Sequence, residues 1–157
     1  MDMMDRKILS LIQDDASLSL NEMAERIGLS TTPLWRRIKA LEESGIIRKR
    51  VALLCPEALG LDVTVFVTVK TDQHNDEWLK HFARAVNDMP EVTEFYRMSG
   101  DRDYLMKVVV RDIRSYDAFY KRLIALGGLS DVSSTFSMEQ VKYTTALPVE
   151  TASKAQP

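Results

Sequence analysis

An α+β chain in two successive parts is predicted by three observations. Three closely spaced amphipathic helical stretches fill the first 45 residues, a break marked by Pro56 and Gly60 follows, and segments of strand-type alternation then trade places with helical spacing as far as residue 143. With 45% hydrophobic and 28% charged residues over 157 positions, composition is that of a globular chain long enough for one domain or two small ones. The formal net charge is only −2, so a polyanion-binding site must arise from local clustering. Residues 30–50 supply that cluster, with Arg36, Arg37, Lys39, Arg48, Lys49 and Arg50 against Glu42 and Glu43, whereas residues 56–157 carry 12 basic and 15 acidic side chains.

Met4, Ile8, Leu11 and Ile12 recur at the spacing of one helical face, which predicts a helix over residues 3–14. Ser19 followed by Glu22 has the form of a capping box. Leu20, Met23, Ala24 and Ile27 then make the apolar face of a second helix that stops at Gly28. A third helix is expected from Pro33 to Ser44, with Thr32 as cap, Pro33 in the first position and Gly45 as the left-handed exit. Its stripe is Leu34, Ile38 and Leu41. At 100° per residue Arg36 lies nearly opposite, Pro33, Lys39 and Ala40 lie beside it, and Arg37 sits on the flank. Trp35 is expected in the core or as a lid on the helix packing. Two helices joined by a tight glycine-containing link are a helix-turn-helix, and the basic, branched run IIRKRVALL after them reads as a β-wing; together they form a winged helix-turn-helix over residues 1–55.

PEALGL, residues 56–61, is the expected hinge. Beyond it DVTVFVTVK places Val63, Val65, Val67 and Val69 on one face of a strand, and residues 76–89 carry Trp78, Phe82, Ala85, Val86 and Met89 at helical spacing. Two strands, VTEFYRM and YLMKVVV, flank the turn SGDRD. Ser115 is the expected cap of a helix with Tyr116, Phe119, Tyr120, Leu123 and Ile124 on its buried face, and DVSSTFSMEQVKY is the last extended run. The order β-α-β-β-α-β predicts a ferredoxin-like domain over residues 62–147, and the polar residues 148–157 read as a flexible tail.

On these elements the chemistry falls in two places. In the major groove of DNA, Arg36 can donate two parallel hydrogen bonds to guanine N7 and O6. Ser30, Thr31, Thr32 and Pro33 stand at the helix start, where hydroxyls and free amides suit a phosphate, and Arg37, Lys39, Arg48, Lys49 and Arg50 suit further phosphates. In MSGDRDYLM, Gly100 and Asp101 form an ordinary hairpin turn, yet free amides there can hold a carboxylate while Asp101 or Asp103 pairs with an ammonium. Those are the two ends of a free amino acid. No GxSxG, P-loop or GxGxxG occurs, so neither a catalytic residue nor a cofactor is expected. His74 and His81 lack a third ligand, so no metal is expected. Cys55 is alone and cannot form an internal disulfide, and no stretch has the length and apolarity of a membrane span, which fits a cytoplasmic chain.

Nearly the whole chain resembles the Lrp/AsnC, or feast/famine, family of bacterial regulators. The resemblance is carried by the stretch from MDMMDRKILSLIQDD through LSTTPLWRRIKALEESGIIRKR, by EVTEFYRMSGDRDYLMKVVV and by VSSTFSMEQVKYTTALP. It implies a sequence-specific DNA-binding regulator whose ferredoxin-like domain dimerises through its sheet, with dimers assembling into octamers. It further implies an amino-acid effector bound between dimers at Met98, Gly100, Asp101, Asp103 and Tyr104, with Ser134, Thr135 and Phe136 on the last strand. Trp35 departs from the small residue usual in that family, so no contact is carried over to it. The stretch from YRMSG to KYTTALP resembles a branch linked with cysteine response, which points to cysteine or another sulfur or branched amino acid. An architectural DNA-binding protein without an effector is the alternative, and an amino-acid-sensing enzyme subunit is a more distant one.

Overall fold

The computed structural model describes residues 1–73 and 75–152, so the expectations for His74 and for residues 153–157 of the tail lie outside the described residues. Met1–Leu53 and residues 142–152 form one compact unit, and Leu54–Val141 forms the other.

The first unit is a three-helix head made of α1 (Met3–Asp14), α2 (Leu20–Ile27) and α3 (Thr31–Glu43). Its core is Ile8, Leu9, Ile12, Met23, Ala24, Leu34, Ile38 and Leu41, one stripe from each helix. The Ser19–Glu22 box forms, with the Ser19 amide donating to Glu22 Oε2 at 2.8 Å and the Glu22 amide to Ser19 Oγ at 3.3 Å. A second box, Asp2 with Asp5, opens α1. α3 starts two residues earlier than expected: Ser30 is the N-cap, and Pro33 occupies the third helical position, where a first-turn amide has no intrahelical partner to lose. Gly28 ends α2 at φ 76, a left-handed conformation that side-chain-bearing residues rarely adopt.

Two expectations for this unit are corrected. The run after Gly45 forms no β-wing strand; residues 46–55 have no partner strand to complete a ladder among the described residues. Nor is the chain loose from residue 148 to 152. Gln13 exchanges two hydrogen bonds with the Leu147 backbone, at 3.0 and 2.9 Å, Arg6 donates to the carbonyls of Glu150 and Ala152, and Val149 packs on the core. Polar composition concealed this docking because its backbone groups, not its side chains, make the bonds.

The second unit begins with a single 3₁₀ turn, Glu57–Leu59, inside the expected hinge. It continues with β1 (Val63–Thr71), α4 (Asp76–Asn87), β2 (Val92–Arg97), β3 (Tyr104–Val110), α5 (Ile113–Ile124) and β4 (Leu129–Phe136). The strands form one antiparallel sheet in the order β2-β3-β1-β4. Val65, Val67 and Val69 meet Tyr104, Met106, Val108 and Val110 on the face that α4 and α5 cover with Phe82, Val86, Phe119 and Leu123. Asp112, not Ser115, caps α5; its carboxylate accepts from the Ser115 amide at 2.7 Å. The last strand ends at Phe136, so the expected extension to Tyr143 is not strand. On the other face of the sheet Phe66 and Tyr96 are exposed.

Candidate DNA-binding face and effector site

α3 buries Leu34, Ile38 and Leu41 and leaves Thr32, Pro33, Trp35, Arg36, Lys39 and Ala40 exposed, so its apolar and cationic faces are separate. Ser30 makes no side-chain capping bond, which leaves its hydroxyl beside the unpartnered first-turn amides of Thr31 and Thr32. Among the described residues Arg36, Arg48 and Lys49 make no ion pair.

The remaining cations of the expected surface are engaged within the head. Nη1 of Arg37 donates to Asp2 Oδ2 at 2.8 Å and to Asp5 Oδ1 at 2.6 Å, tying α3 to the start of α1. The Asp5 amide and then Arg37 hold the Asp2 carboxyl below the ordinary carboxylate range. Arg50 donates to Glu42 Oε1 at 3.1 Å. Lys39 lies 3.7 Å from Glu43 Oε1, with its ammonium 5.2 Å from the centre of the Trp35 ring. Trp35 is 51% exposed and so is neither core nor lid.

In the second unit the β2–β3 turn is pinned by its backbone. The Met98 amide donates to the Asp103 carbonyl at 2.8 Å, the Asp103 amide to the Val69 carbonyl at 2.9 Å, and the Thr71 amide to Asp103 Oδ2 at 2.8 Å. Gly100 has φ 126, a conformation suited to glycine. Asp101 is largely exposed and already faces two cations, Lys70 at 3.3 Å and Arg102 at 3.7 Å; Arg102 also pairs with Asp131. Asp103 is therefore the better-held carboxylate.

Beside it is a cavity of about 80 Å³ lined by Thr71, Gln73, Asp76, Arg97, Asp103 and Tyr104, among others. Tyr104 is buried against Phe82 and Phe95, and that burial raises its pKa; its hydroxyl has no hydrogen-bond partner among the described residues. Arg97 makes no ion pair among them either. A guanidinium, two carboxylates and a phenol around so small a space suit the charged head of a zwitterion. Sequence reasoning missed Thr71, Gln73, Asp76 and Arg97, because they come from three elements and share no motif.

Ser134, Thr135 and Phe136 do not join this group. Val69 pairs with Tyr104, whereas Phe136 pairs with Val65, four residues and about 13 Å further along β1. Ser134 instead bonds the Tyr116 hydroxyl, and Phe136 meets the Tyr116 ring edge-on at 5.2 Å. Thr135, opposite Phe66, alternates to the other face of the sheet.

A helix-turn-helix head whose α3 carries an exposed cationic face, followed by a βαββαβ unit with a polar cavity, defines a ligand-responsive DNA-binding regulator. Residues 1–48 match the winged helix-turn-helix DNA-binding family model, and residues 64–147 match the Lrp/AsnC ligand binding domain. The chain belongs to the Lrp/AsnC family of transcriptional regulators and is not an enzyme. It is 54% identical to the DNA-binding transcriptional activator DecR of Escherichia coli K12, over 96% of this chain and 99% of that one. An AsnC family regulator from Agrobacterium tumefaciens superposes with a TM-score of 0.92 at 58% identity, over 96% of this chain and 98% of that one. The transcriptional regulator NMB0573 of Neisseria meningitidis, solved as an L-Met complex, gives 0.91 at 34% identity, over 95% and 97%. Among the described residues no helix is long and apolar enough to cross a membrane.

Proposed function

We propose that this regulator acts in the cytoplasm on a nearly palindromic operator, as a homodimer that assembles into an octamer. α3 enters the major groove, Arg36 reads guanine, and Ser30, Thr31, Arg48 and Lys49 hold phosphates, with Thr32 and Pro33 against the groove wall. The observations that carry this reading are Arg36, Arg48 and Lys49, which make no ion pair among the described residues, and an α3 start without a side-chain capping bond. Arg37, and in lesser degree Arg50 and Lys39, hold the head together or orient its side chains. The exposed aromatics Phe66 and Tyr96 support pairing of two copies through the open sheet face.

The effector is an amino acid, with sulfur amino acids favoured because a relative of high structural similarity carries L-Met. Asp103 takes its ammonium, Arg97 and the turn amides near Gly100 its carboxylate, with Met98 and Tyr104 beside it. The distance of Ser134, Thr135 and Phe136 from this cavity within one chain supports a site completed by a neighbouring copy. Coupling of effector to DNA of about 1–3 kcal/mol changes occupancy several-fold or more. The test is thermal shift against the twenty amino acids, followed by operator binding with and without the best ligand. Asp103→Ala is expected to abolish the ligand's effect while sparing ligand-free DNA binding. An unchanged response moves the site elsewhere, and no shift with any amino acid favours the effector-independent architectural reading.

A further inference from the structure

Trp35 is a large apolar surface where the helix packing does not require one. It sits at the fifth position of α3, about 100° from Leu34 and about 100° from Arg36, so it borders the cationic face. The ring forms one wall of a groove of about 360 Å³ floored by Leu20, Met23 and Ile38. The Lys39 ammonium over the ring restricts its rotation. Lys39, Arg50 and one carboxylate, Glu42, line the groove, and Arg36 is exposed next to the ring along α3, so the edge is net positive and suits a surface of negative charge. Duplex DNA meets that condition, and the amino-terminal half of a helix laid in the major groove points its side chains at base edges, not between stacked bases. The only apolar group on a base edge there is the thymine 5-methyl.

We propose, resting on the reading that α3 enters the major groove, that Trp35 is a specificity-determining residue that packs against a thymine methyl group in each half-site, next to the base contacted by Arg36. The selectivity is of a different kind from that of Arg36. It arises from removing one methyl group and part of an indole from water, so it discriminates roughly three- to fivefold and is nearly independent of salt.

The experiment enriches an operator from a random duplex library with the full-length protein, then replaces each thymine in turn by deoxyuridine, which deletes only the methyl. The expected result is a three- to fivefold loss at one position per half-site with the wild type, no loss there with Trp35→Ala or Trp35→Gln, and salt dependence unchanged in both variants. An operator without thymine at a fixed position, a wild type indifferent to every replacement, or variants that lose as much as the wild type would overturn the proposal. Both variants are first matched to wild type by circular dichroism and thermal unfolding. If neither folds, Trp35 serves packing and the proposal fails.

Discussion

Counting the cations assigned to phosphates makes the salt dependence of DNA binding a quantitative test. Arg48 and Lys49, unpaired among the described residues, are the two cations assigned to phosphates, giving four contacts for two heads. At about −0.9 per phosphate neutralised, log K should fall against log salt with a slope of about −3.6, so raising salt fourfold weakens binding about 150-fold. Were Arg37, Lys39 and Arg50 also on phosphates, ten contacts would give a slope of about −9 and a loss above about 10⁵-fold over the same range. Fluorescence anisotropy of a labelled operator across roughly 50–300 mM salt resolves the two. In the same assay Arg48→Ala should reduce the dimer's slope by about 1.8, and Arg37→Ala should leave it nearly unchanged while lowering the head's melting temperature. A slope near −9, or an Arg37→Ala effect equal to that of Arg48→Ala, refutes the division of labour drawn from the ion pairs.

Further outcomes follow from packing and titration. Leu34→Ala removes a fully buried side chain from the small head core and should cost about 2–5 kcal/mol, a large part of the roughly 3–10 kcal/mol available to a unit of about 70 residues; urea unfolding and loss of DNA binding report it. Gly128→Ala should destabilise the second unit, because its φ is 70 and a Cβ would lie 2.4 Å from Trp78 Nε1; thermal unfolding checks this. In acid, Asp2 and Glu22 lose their capping roles. Both carboxyls are held below their ordinary values of 3.8 and 4.5, Glu22 by its hydrogen bonds with Ser19, so their stabilisation is present above those values and lost as pH falls below them. A combined Asp2→Asn and Glu22→Gln variant should be less stable than wild type at pH 6 and lose less on going to pH 3, as measured by urea unfolding at the two values.

Local rules made much of this architecture legible. The apolar spacing of α1, α2 and α3, the Ser19–Glu22 box and the valine alternation of β1 each concern residues within a few positions of one another, and each is realised. What sequence concealed is long-range. Arg37 shares the cationic half of α3 with Arg36, but its carboxylate partners lie 35 and 32 residues earlier in the chain, beyond any helical spacing rule. Arg97 and Asp103 come together only because β2 and β3 pair around a backbone-pinned turn. Trp35 was misplaced because an aromatic ring at the edge of an apolar stripe can turn either way; here it turns toward Lys39 and solvent.

The central claim, that the outward face of α3 reads sequence, is tested most directly by one ratio: affinity for the enriched operator over affinity for unrelated duplex, for wild type and Arg36→Ala at equal salt. Loss of a bidentate guanine contact worth about 1–3 kcal/mol should lower that ratio roughly 5- to 150-fold per half-site. A ratio that Arg36→Ala leaves unchanged would contradict the account.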